Sequence, residues 1–292
     1  MLLPKFDYHE ASTLAEACEM MAELSGKAKV LAGGTDLLVN MKKKILSPEH
    51  LICVERVEEM KGIDVVDGHI RIGASHKVAD IAASAQISRS LSALAQGACS
   101  LGSPLIRNLA TIAGNIASAR PAADLPPSLM AYDAEVSLRK KGGERLVKVE
   151  ELFKGPGETV IGPDEIISEI RVPRPSGPYG AHYIKLGVRR ALEISLVNVA
   201  VFVLLDEGDG SIKDARIVLG AVAPTPIRAP SAEALLRGEK PEDMLYERAG
   251  QAASSDSKPI SDFRASAEYR RDMVAVLTKR ALRTACKAAS RS

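Results

Sequence analysis

The amino-acid sequence predicts an α+β fold built from three consecutive parts. Short apolar runs alternate with helical patterns at the start of the chain, hairpin signals dominate the middle, and long apolar runs precede helices near the end. We expect the first part to span residues 1–55, the second 56–176 and the third 177–292. The proline-rich segment 173–178 is the clearest linker, and it separates the second part from the third.

The first part is predicted to be a small β-α-β-α-β unit. Thr13 and Glu16 form a capping-box pattern, which predicts that the first helix begins there. A strand over 28–32 and a helix over 36–44 follow, and a short strand over 51–54 completes the unit.

The second part is predicted to be a mixed α/β unit that contains two β-hairpins. Asp67-Gly68 and Gly142-Gly143 each lie between strand-like runs, and such dipeptides favour tight two-residue turns. The stretch that leads to Thr111 contains Pro104 and is expected to be an irregular loop. Helices are expected over three stretches, 77–85, 90–101 and 125–132.

The third part is predicted to be a three-stranded antiparallel sheet followed by helices. The strands are expected at 181–186, 196–205 and 215–222. The helices are expected at 231–237, 241–253 and 266–289. In the last helix the apolar residues of one face recur at helical spacing, and these are Tyr269, Met273, Val276, Leu277 and Ala281.

Composition and charge exclude several classes of function. Of the 292 residues 46% are hydrophobic and 26% charged, which is an ordinary globular balance. A net charge of +2 and an aromatic content of 3% provide neither the basic surface nor the stacking platforms of a nucleic-acid-binding protein. No apolar run reaches the ~20 residues of a membrane helix. We therefore expect no membrane span. Because the first residues do not read as a signal peptide and the cysteines read as buried thiols, a reducing, cytoplasmic location is the default expectation.

The cysteines and histidines do not form a recognisable metal or nucleophile motif. The 4 cysteines include no CxxC pair, and the 5 histidines are scattered without metal-ligand spacing. No Ser-His-Asp arrangement is evident either, so no metal site and no catalytic acid, base or nucleophile is predicted.

Two glycine-containing loops are the candidate ligand-binding features of this sequence. The first, Ala32-Gly33-Gly34-Thr35-Asp36, joins an expected strand to an expected helix, a position at which free backbone N–H groups can bind phosphate. The second, Thr111-Ile112-Ala113-Gly114-Asn115, combines a hydroxyl, small residues and an amide that suit a main-chain cradle for an anion. Each loop alone is also compatible with a structural turn, but the pair indicates a dinucleotide whose pyrophosphate is held from both sides.

The two loops together resemble those of a known family. AGGTDLL at 32–38 and TIAGNIASARPAADLPPSLMAYDAEV at 111–136 are similar to the FAD-binding medium subunits of the molybdenum hydroxylases, which include carbon monoxide and xanthine dehydrogenases. The similarity extends over nearly the whole chain. This sequence departs from the family at Ala113, where the family has glycine, and a Cβ is favourable there only if φ is negative.

The resemblance implies a two-part FAD-binding domain, made of the small βαβ-type unit and the mixed α/β unit, followed by the C-terminal sheet-and-helix domain. It also implies that FAD is bound non-covalently. The backbone amides of the two loops would face the pyrophosphate. The implied cofactor-binding positions are Ala32, Gly33, Gly34, Thr35, Asp36, Leu101, Thr111, Ala113, Gly114, Asn115, Asp124, Ile166 and Lys185.

The family also implies roles for individual side chains. Asp124 would accept hydrogen bonds from the ribityl or ribose hydroxyls, and Lys185 would lie near the flavin ring. Leu101 and either Ile166 or Ile167 would pack on the ring system. Three further candidates for charges near the ring or a partner are Arg189, Arg190 and Glu193.

The implied activity is electron transfer within a larger enzyme. FAD would receive electrons from [2Fe-2S] clusters in a small partner subunit and pass them to an acceptor such as NAD or a quinone, while a large subunit with the molybdenum cofactor selects the substrate. Two alternatives remain, a free-standing FAD-dependent oxidase and a non-catalytic flavin-binding assembly module. The sequence does not identify the substrate of the holoenzyme.

Overall fold

The computed structural model describes residues 2–189 and 191–291, and its first part is a small parallel sheet with two helices. The elements are β1 (Asp7–Glu10), α1 (Leu14–Glu23), β2 (Ala28–Leu31), α2 (Leu37–Lys42) and β3 (His50–Cys53). The strand order is β1-β3-β2, with helices in the connections that parallel pairing requires. The Thr13 hydroxyl accepts the N–H of Glu16 at 3.1 Å, which confirms the predicted start of α1.

The second part is an antiparallel sheet accompanied by six short helices. Its strands are β4 (Ile63–Val66), β5 (His69–Gly73), β6 (Glu135–Lys140), β7 (Gly143–Lys148), β8 (Phe153–Gly155), β9 (Glu158–Thr159) and β10 (Ile166–Pro173). Its helices are α3 (Val78–Ala83), α4 (Ala85–Ser90), α5 (Ser92–Ser100), α6 (Pro104–Leu109), α7 (Ile112–Ala117) and α8 (Leu125–Ala131). The main sheet has the order β4-β5-β10-β6-β7, and β8 pairs with β9.

One expectation for this part is wrong, because the stretch around Pro104 is the helix α6 and not an irregular loop. Ser103 caps this helix, and its side chain accepts the N–H of Ile106 at 3.3 Å. Proline is favourable in the first turn of a helix because the N–H that it lacks would have no partner there.

The C-terminal part contains an antiparallel sheet of four strands, not the three that the sequence predicts. Its elements are β11 (Tyr179–Leu186), β12 (Val197–Leu205), β13 (Ile212–Gly220), β14 (Ile227–Arg228), α9 (Pro230–Leu236), α10 (Asp243–Asp256) and α11 (Ala267–Ala289). The additional strand β14 pairs with β13 at the sheet edge. Two residues are too few to show the alternation by which strands are recognised in a sequence.

The C-terminal sheet has apolar packing on both of its faces. Along β12, Ala200 and Phe202 pack into the core shared with the first two parts, whereas Val199 and Val201 pack against α9, α10 and α11. This follows from the alternation of side chains along a strand. Tyr183 on β11 faces the first core. No helix in the described part of the chain is long and apolar enough to cross a membrane.

Candidate functional site

The two glycine-containing segments are in direct contact in the folded chain. A Cβ placed on Gly33 would lie 2.0 Å from the carbonyl oxygen of Leu109 and 3.0 Å from Cα of Ala110. Only glycine allows this approach, because any side chain would overlap the backbone of the other segment. The residues that precede Thr111 therefore lie against the first segment.

The first segment presents a row of free backbone donors. Gly34 has a φ of 69°, a conformation that glycine adopts readily, and it turns the chain from β2 into α2. Among residues 2–189 and 191–291, no acceptor is found for the backbone N–H groups of Gly33, Gly34, Thr35 and Asp36. Such a group of unpaired N–H groups at a turn is a geometry that binds anions.

The second segment differs from the open loop that the sequence predicts. Thr111 begins α7, and its hydroxyl accepts the N–H of Gly114 at 3.1 Å. The N–H groups of Ile112 and Ala113 donate to backbone carbonyls at 3.1 and 3.2 Å. These N–H groups already have acceptors within the protein, so a ligand would share them with those acceptors or contact the short side chains of the segment. The unpaired amides lie on the first segment.

Ala113 fits its place in the helix without backbone strain. The residue lies in the first turn of α7 and is absent from the positions with positive φ. The family's glycine can be replaced here because a helical φ accommodates a Cβ.

Arg120 connects the chain that follows α7 with helix α2. Its guanidinium donates to Oδ1 of Asn40 at 2.9 Å and lies 3.8 Å from the carboxylate of Asp36. The contact is half exposed and contributes little energy by itself. It does place a cation beside the row of free amides, where an anionic ligand would be favoured.

A cavity of about 260 Å³ lies beside both segments. Its lining includes Ala32, Glu55, Lys61, Ser75, Asp80 and Thr111. Within the described residues, Oγ of Ser75 is buried and has no hydrogen-bond partner. Burial lowers the pKa of His76, which also lines the cavity, so this imidazole is neutral near pH 7. The cavity therefore offers donors and acceptors suited to a polar ligand.

A buried hydrogen-bond network surrounds Asp124, whose exposed fraction is 5%. Nζ of Lys185 donates to Oδ2 of this carboxylate at 2.9 Å and to the carbonyl oxygen of Ser100 at 3.1 Å. The Tyr183 hydroxyl donates to Oδ1 at 2.7 Å, and the Ser195 hydroxyl donates to the same oxygen at 3.3 Å. Burial raises the pKa of Asp124, while the Lys185 charge and the hydrogen bonds act in the opposite direction.

The structure joins two predicted site residues that the sequence presented separately. Asp124 and Lys185 form an ion pair in which both side chains are nearly buried. Three further residues of this network were not among the predicted site residues: Tyr183, Ser195, and Asn198, whose Nδ2 donates to Oγ of Ser195 at 3.2 Å. The only available signal was the spacing of two between Tyr183 and Lys185, which places both on one face of β11.

Leu101 and Ile166 are almost completely buried in the first core. Leu101 ends α5, next to the Ser100 carbonyl that receives the Lys185 ammonium. Ile166 begins β10 and pairs with Arg139 of β6. Their contacts are those of ordinary core residues, and only the family resemblance distinguishes them.

Two of the charged candidates after β11, Arg189 and Glu193, lie on a surface segment. Arg189 donates to the Glu193 carboxylate at 2.8 Å, and Leu192 donates its N–H to the carbonyl of Gly102 at 2.9 Å. This segment therefore lies against the residues that follow α5. Arg190 lies outside the described residues.

Comparisons with known proteins match this chain over nearly its whole length. The family described as "FAD binding domain in molybdopterin dehydrogenase" matches residues 4–175, and "CO dehydrogenase flavoprotein C-terminal domain" matches residues 182–285. The xanthine dehydrogenase FAD-binding subunit of Escherichia coli O157:H7 is 32% identical over 97% of this chain and 96% of its own. The carbon monoxide dehydrogenase medium chain of Hydrogenophaga pseudoflava is 33% identical over 98% of both chains. A solved structure of the enzyme from that organism superposes with a TM-score of 0.93 at 34% identity, over 99% of both chains.

Proposed function

Because this chain belongs to the family of FAD-binding medium subunits of the molybdenum hydroxylases, we propose that it is their electron-transfer subunit. Bound FAD would supply the redox chemistry, since flavins accept electrons singly and release them in pairs. The observation that carries this proposal is the row of free amides from Gly33 to Asp36, in contact with the segment that leads to Thr111. That arrangement suits the pyrophosphate of a dinucleotide.

Helix α7 connects the two regions that we assign to the two halves of FAD. Thr111 at its start lines the polar cavity. Asn115, one turn later, accepts the N–H of Leu125 at 3.3 Å, next to Asp124. We therefore assign the cavity to the adenosine half of FAD, and the surroundings of Asp124 and Lys185 to the ribityl chain and flavin ring.

The protein's own residues would bind and tune FAD without acting as acids or bases. The first-segment amides would bind the phosphates, and Asp124 would accept hydrogen bonds from hydroxyl groups. The Lys185 ammonium would favour negative charge on the ring. The Asp124 carboxylate paired with it would weaken this effect. A small subunit with [2Fe-2S] clusters would deliver electrons, a large molybdenum subunit would select the substrate, and NAD or a quinone would accept the electrons.

The binding part of the proposal is tested by measuring flavin content. We expect the purified chain to bind FAD in about equimolar amount. Acid precipitation should release the flavin, because no covalent attachment is expected. FMN should bind more weakly than FAD, since it lacks the second phosphate and the adenosine. A chain that shows no flavin spectrum after reconstitution, or that prefers FMN, would contradict the assignment.

The electron-transfer part is tested by bleaching of the flavin absorbance. We expect substrate to bleach the flavin only when the iron–sulfur and molybdenum subunits are present. Bleaching of the isolated chain would instead identify a free-standing oxidase. A flavin that stays oxidised in the full complex would identify a passive assembly module.

A further inference from the structure

The Asp124 carboxylate is held by side chains from the C-terminal sheet and from the segment between its strands. Tyr183, exposed by only 4%, lies on β11, and Ser195, with no exposed surface, lies just before β12. Both hydroxyls donate to the same oxygen, Oδ1, at 2.7 and 3.3 Å. We propose that Tyr183 and Ser195 are positioning residues that orient this carboxylate toward FAD. This inference rests on the proposed function.

Counting acceptor sites shows which carboxylate oxygen remains available to a ligand. Each oxygen of an ionised carboxylate can accept about two hydrogen bonds. Oδ1 already accepts from Tyr183 and Ser195, so its capacity is used. Among the residues that the structure describes, Oδ2 accepts only from Lys185, at 2.9 Å, which leaves one acceptor position for a hydroxyl of the ligand. The two hydroxyls therefore determine which oxygen meets FAD.

Asn198 determines which way the Ser195 hydroxyl donates its proton. Nδ2 of Asn198 donates to Oγ of Ser195 at 3.2 Å and to the carbonyl oxygen of Ala123 at 3.5 Å. Because a carbonyl can only accept, the amide nitrogen and not the amide oxygen must face Ala123. The Ser195 oxygen thus receives one proton, and its own proton is directed at Asp124. The same amide also holds the residue that precedes Asp124.

A purely structural network and a positioning network differ in their effect on the ligand. If the hydroxyls of Tyr183 and Ser195 only stabilise the fold, their removal lowers the unfolding temperature and leaves the FAD affinity of the folded protein unchanged. If they orient Asp124, the folded variants bind FAD more weakly, because the carboxylate can rotate away from the ligand.

The first experiment compares two tyrosines of the same strand by titrating the apo-protein with FAD. We expect Tyr183→Phe to raise the dissociation constant about tenfold, the range of one hydrogen bond to a charged group. Tyr179→Phe is the matched control, because the Tyr179 hydroxyl donates to the Ser90 carbonyl at 3.2 Å and not to Asp124. The control should change the constant less than twofold. Ser195→Ala should weaken binding in the same direction.

The second experiment asks whether Tyr183 acts through Asp124. In an Asp124→Ala background, Tyr183→Phe should leave the FAD dissociation constant unchanged, whereas independent losses in the double variant would overturn the proposal. If Asp124→Ala does not fold, the single variants test the proposal instead. A wild-type FAD affinity in both Tyr183→Phe and Ser195→Ala would then overturn the proposal. A wild-type chain that binds no FAD would instead overturn the proposed function.

Discussion

At the scale of single residues, the Asp124–Lys185 pair changes what a lysine near the flavin can do. The family resemblance implies a lysine near the flavin ring, and in the structure its ammonium lies 2.9 Å from a buried carboxylate. The two charges offset each other at a distance, so the pair would affect a flavin ring beside it less than a lone lysine would. Removing one partner leaves the other charge buried and uncompensated.

We predict that Lys185→Met lowers both the stability and the flavin potential. The unfolding free energy should fall by about 3–5 kcal/mol, because the Asp124 carboxylate stays buried without its cation. The potential should fall by about 30 mV or more, which corresponds to ~1.4 kcal/mol for two electrons. Losing Lys185 also raises the pKa of Asp124 further, so the potential shift should shrink in the pH range where the carboxyl of the variant is protonated while the wild-type ion pair is still intact.

Spectroelectrochemical titration at several pH values measures this effect. Lys148→Met is the matched control, because Lys148 forms a half-exposed pair with Asp133 at 3.2 Å. The control should leave the potential unchanged. A Lys185→Met protein with full FAD occupancy and a wild-type potential at every pH would place Lys185 away from the ring.

We predict that Gly114→Val abolishes FAD binding while the chain still folds. A Cβ on Gly114 would meet only the Thr111 hydroxyl, at 2.9 Å, so valine displaces the group that caps α7. Loss of such a cap costs about 1 kcal/mol, which a folded chain tolerates.

FAD titration and thermal unfolding measure the two effects. Gly143→Ala is the control, because its Cβ would find its nearest neighbour at 3.8 Å. Retained FAD affinity would remove this segment from the site.

At the scale of elements, local chemistry explains which predictions succeeded. Asp67-Gly68 has two positive φ values, and the predicted hairpin forms there. Helix α6 has a recognisable signal, a serine cap followed by Pro104, although proline by itself favours the prediction of a loop. The edge strand β14 has no signal of its own, since only its pairing with β13 makes it a strand.

We predict that Glu165, just before β10, stabilises the second part in a pH-dependent way. Two Arg145 nitrogens donate to its carboxylate at 2.6 and 2.7 Å, and these bonds hold the pKa of Glu165 below its ordinary value of 4.5. A lowered pKa in the folded state contributes stability above about pH 4.5, and this stability is lost as the pH falls through the folded-state pKa. Glu165→Gln should therefore destabilise by about 2 kcal/mol at pH 7 and far less in acid.

Chemical denaturation at pH 7 and in acid checks this prediction. Glu247→Gln is the matched control, because Glu247 forms an exposed pair with Lys279 at 2.7 Å. Exposed pairs contribute roughly 0–1 kcal/mol, so the control should change little at either pH. An equal loss for Glu165→Gln at both pH values would show that packing, and not the ionised pair, is responsible.

At the scale of the whole molecule, the candidate site could be predicted as separate positions but not as contacts. The glycine segments were selected because their residue types suit phosphate, and Asp124 and Lys185 because of the family resemblance. Their pairing could not, since Asp124 and Lys185 are 61 residues apart and the C-terminal sheet brings them together. The contacts of Tyr183 and Ser195 with Asp124 depend on the same packing, because in sequence a strand tyrosine and a loop serine carry no signal of them.

The last prediction concerns FAD as a ligand that joins all three parts of the chain. The first segment, helix α7 and the Asp124 network belong to successive parts of the sequence. A ligand that binds only the folded chain stabilises it by about 2.7 kcal/mol at a hundredfold excess over its dissociation constant. For a chain of this size we expect the unfolding midpoint to rise by roughly 5–10 °C in one transition.

FMN at the same concentration should raise the midpoint less, since it lacks the groups assigned to the cavity. Differential scanning calorimetry with and without each flavin measures both effects. Two transitions, of which FAD shifts only the one that belongs to the first two parts, would show that the C-terminal sheet does not contribute to the flavin site. A single shifted transition would instead require that the contacts from Tyr183 and Lys185 to Asp124 persist when FAD binds, because these contacts link the C-terminal sheet to the ligand.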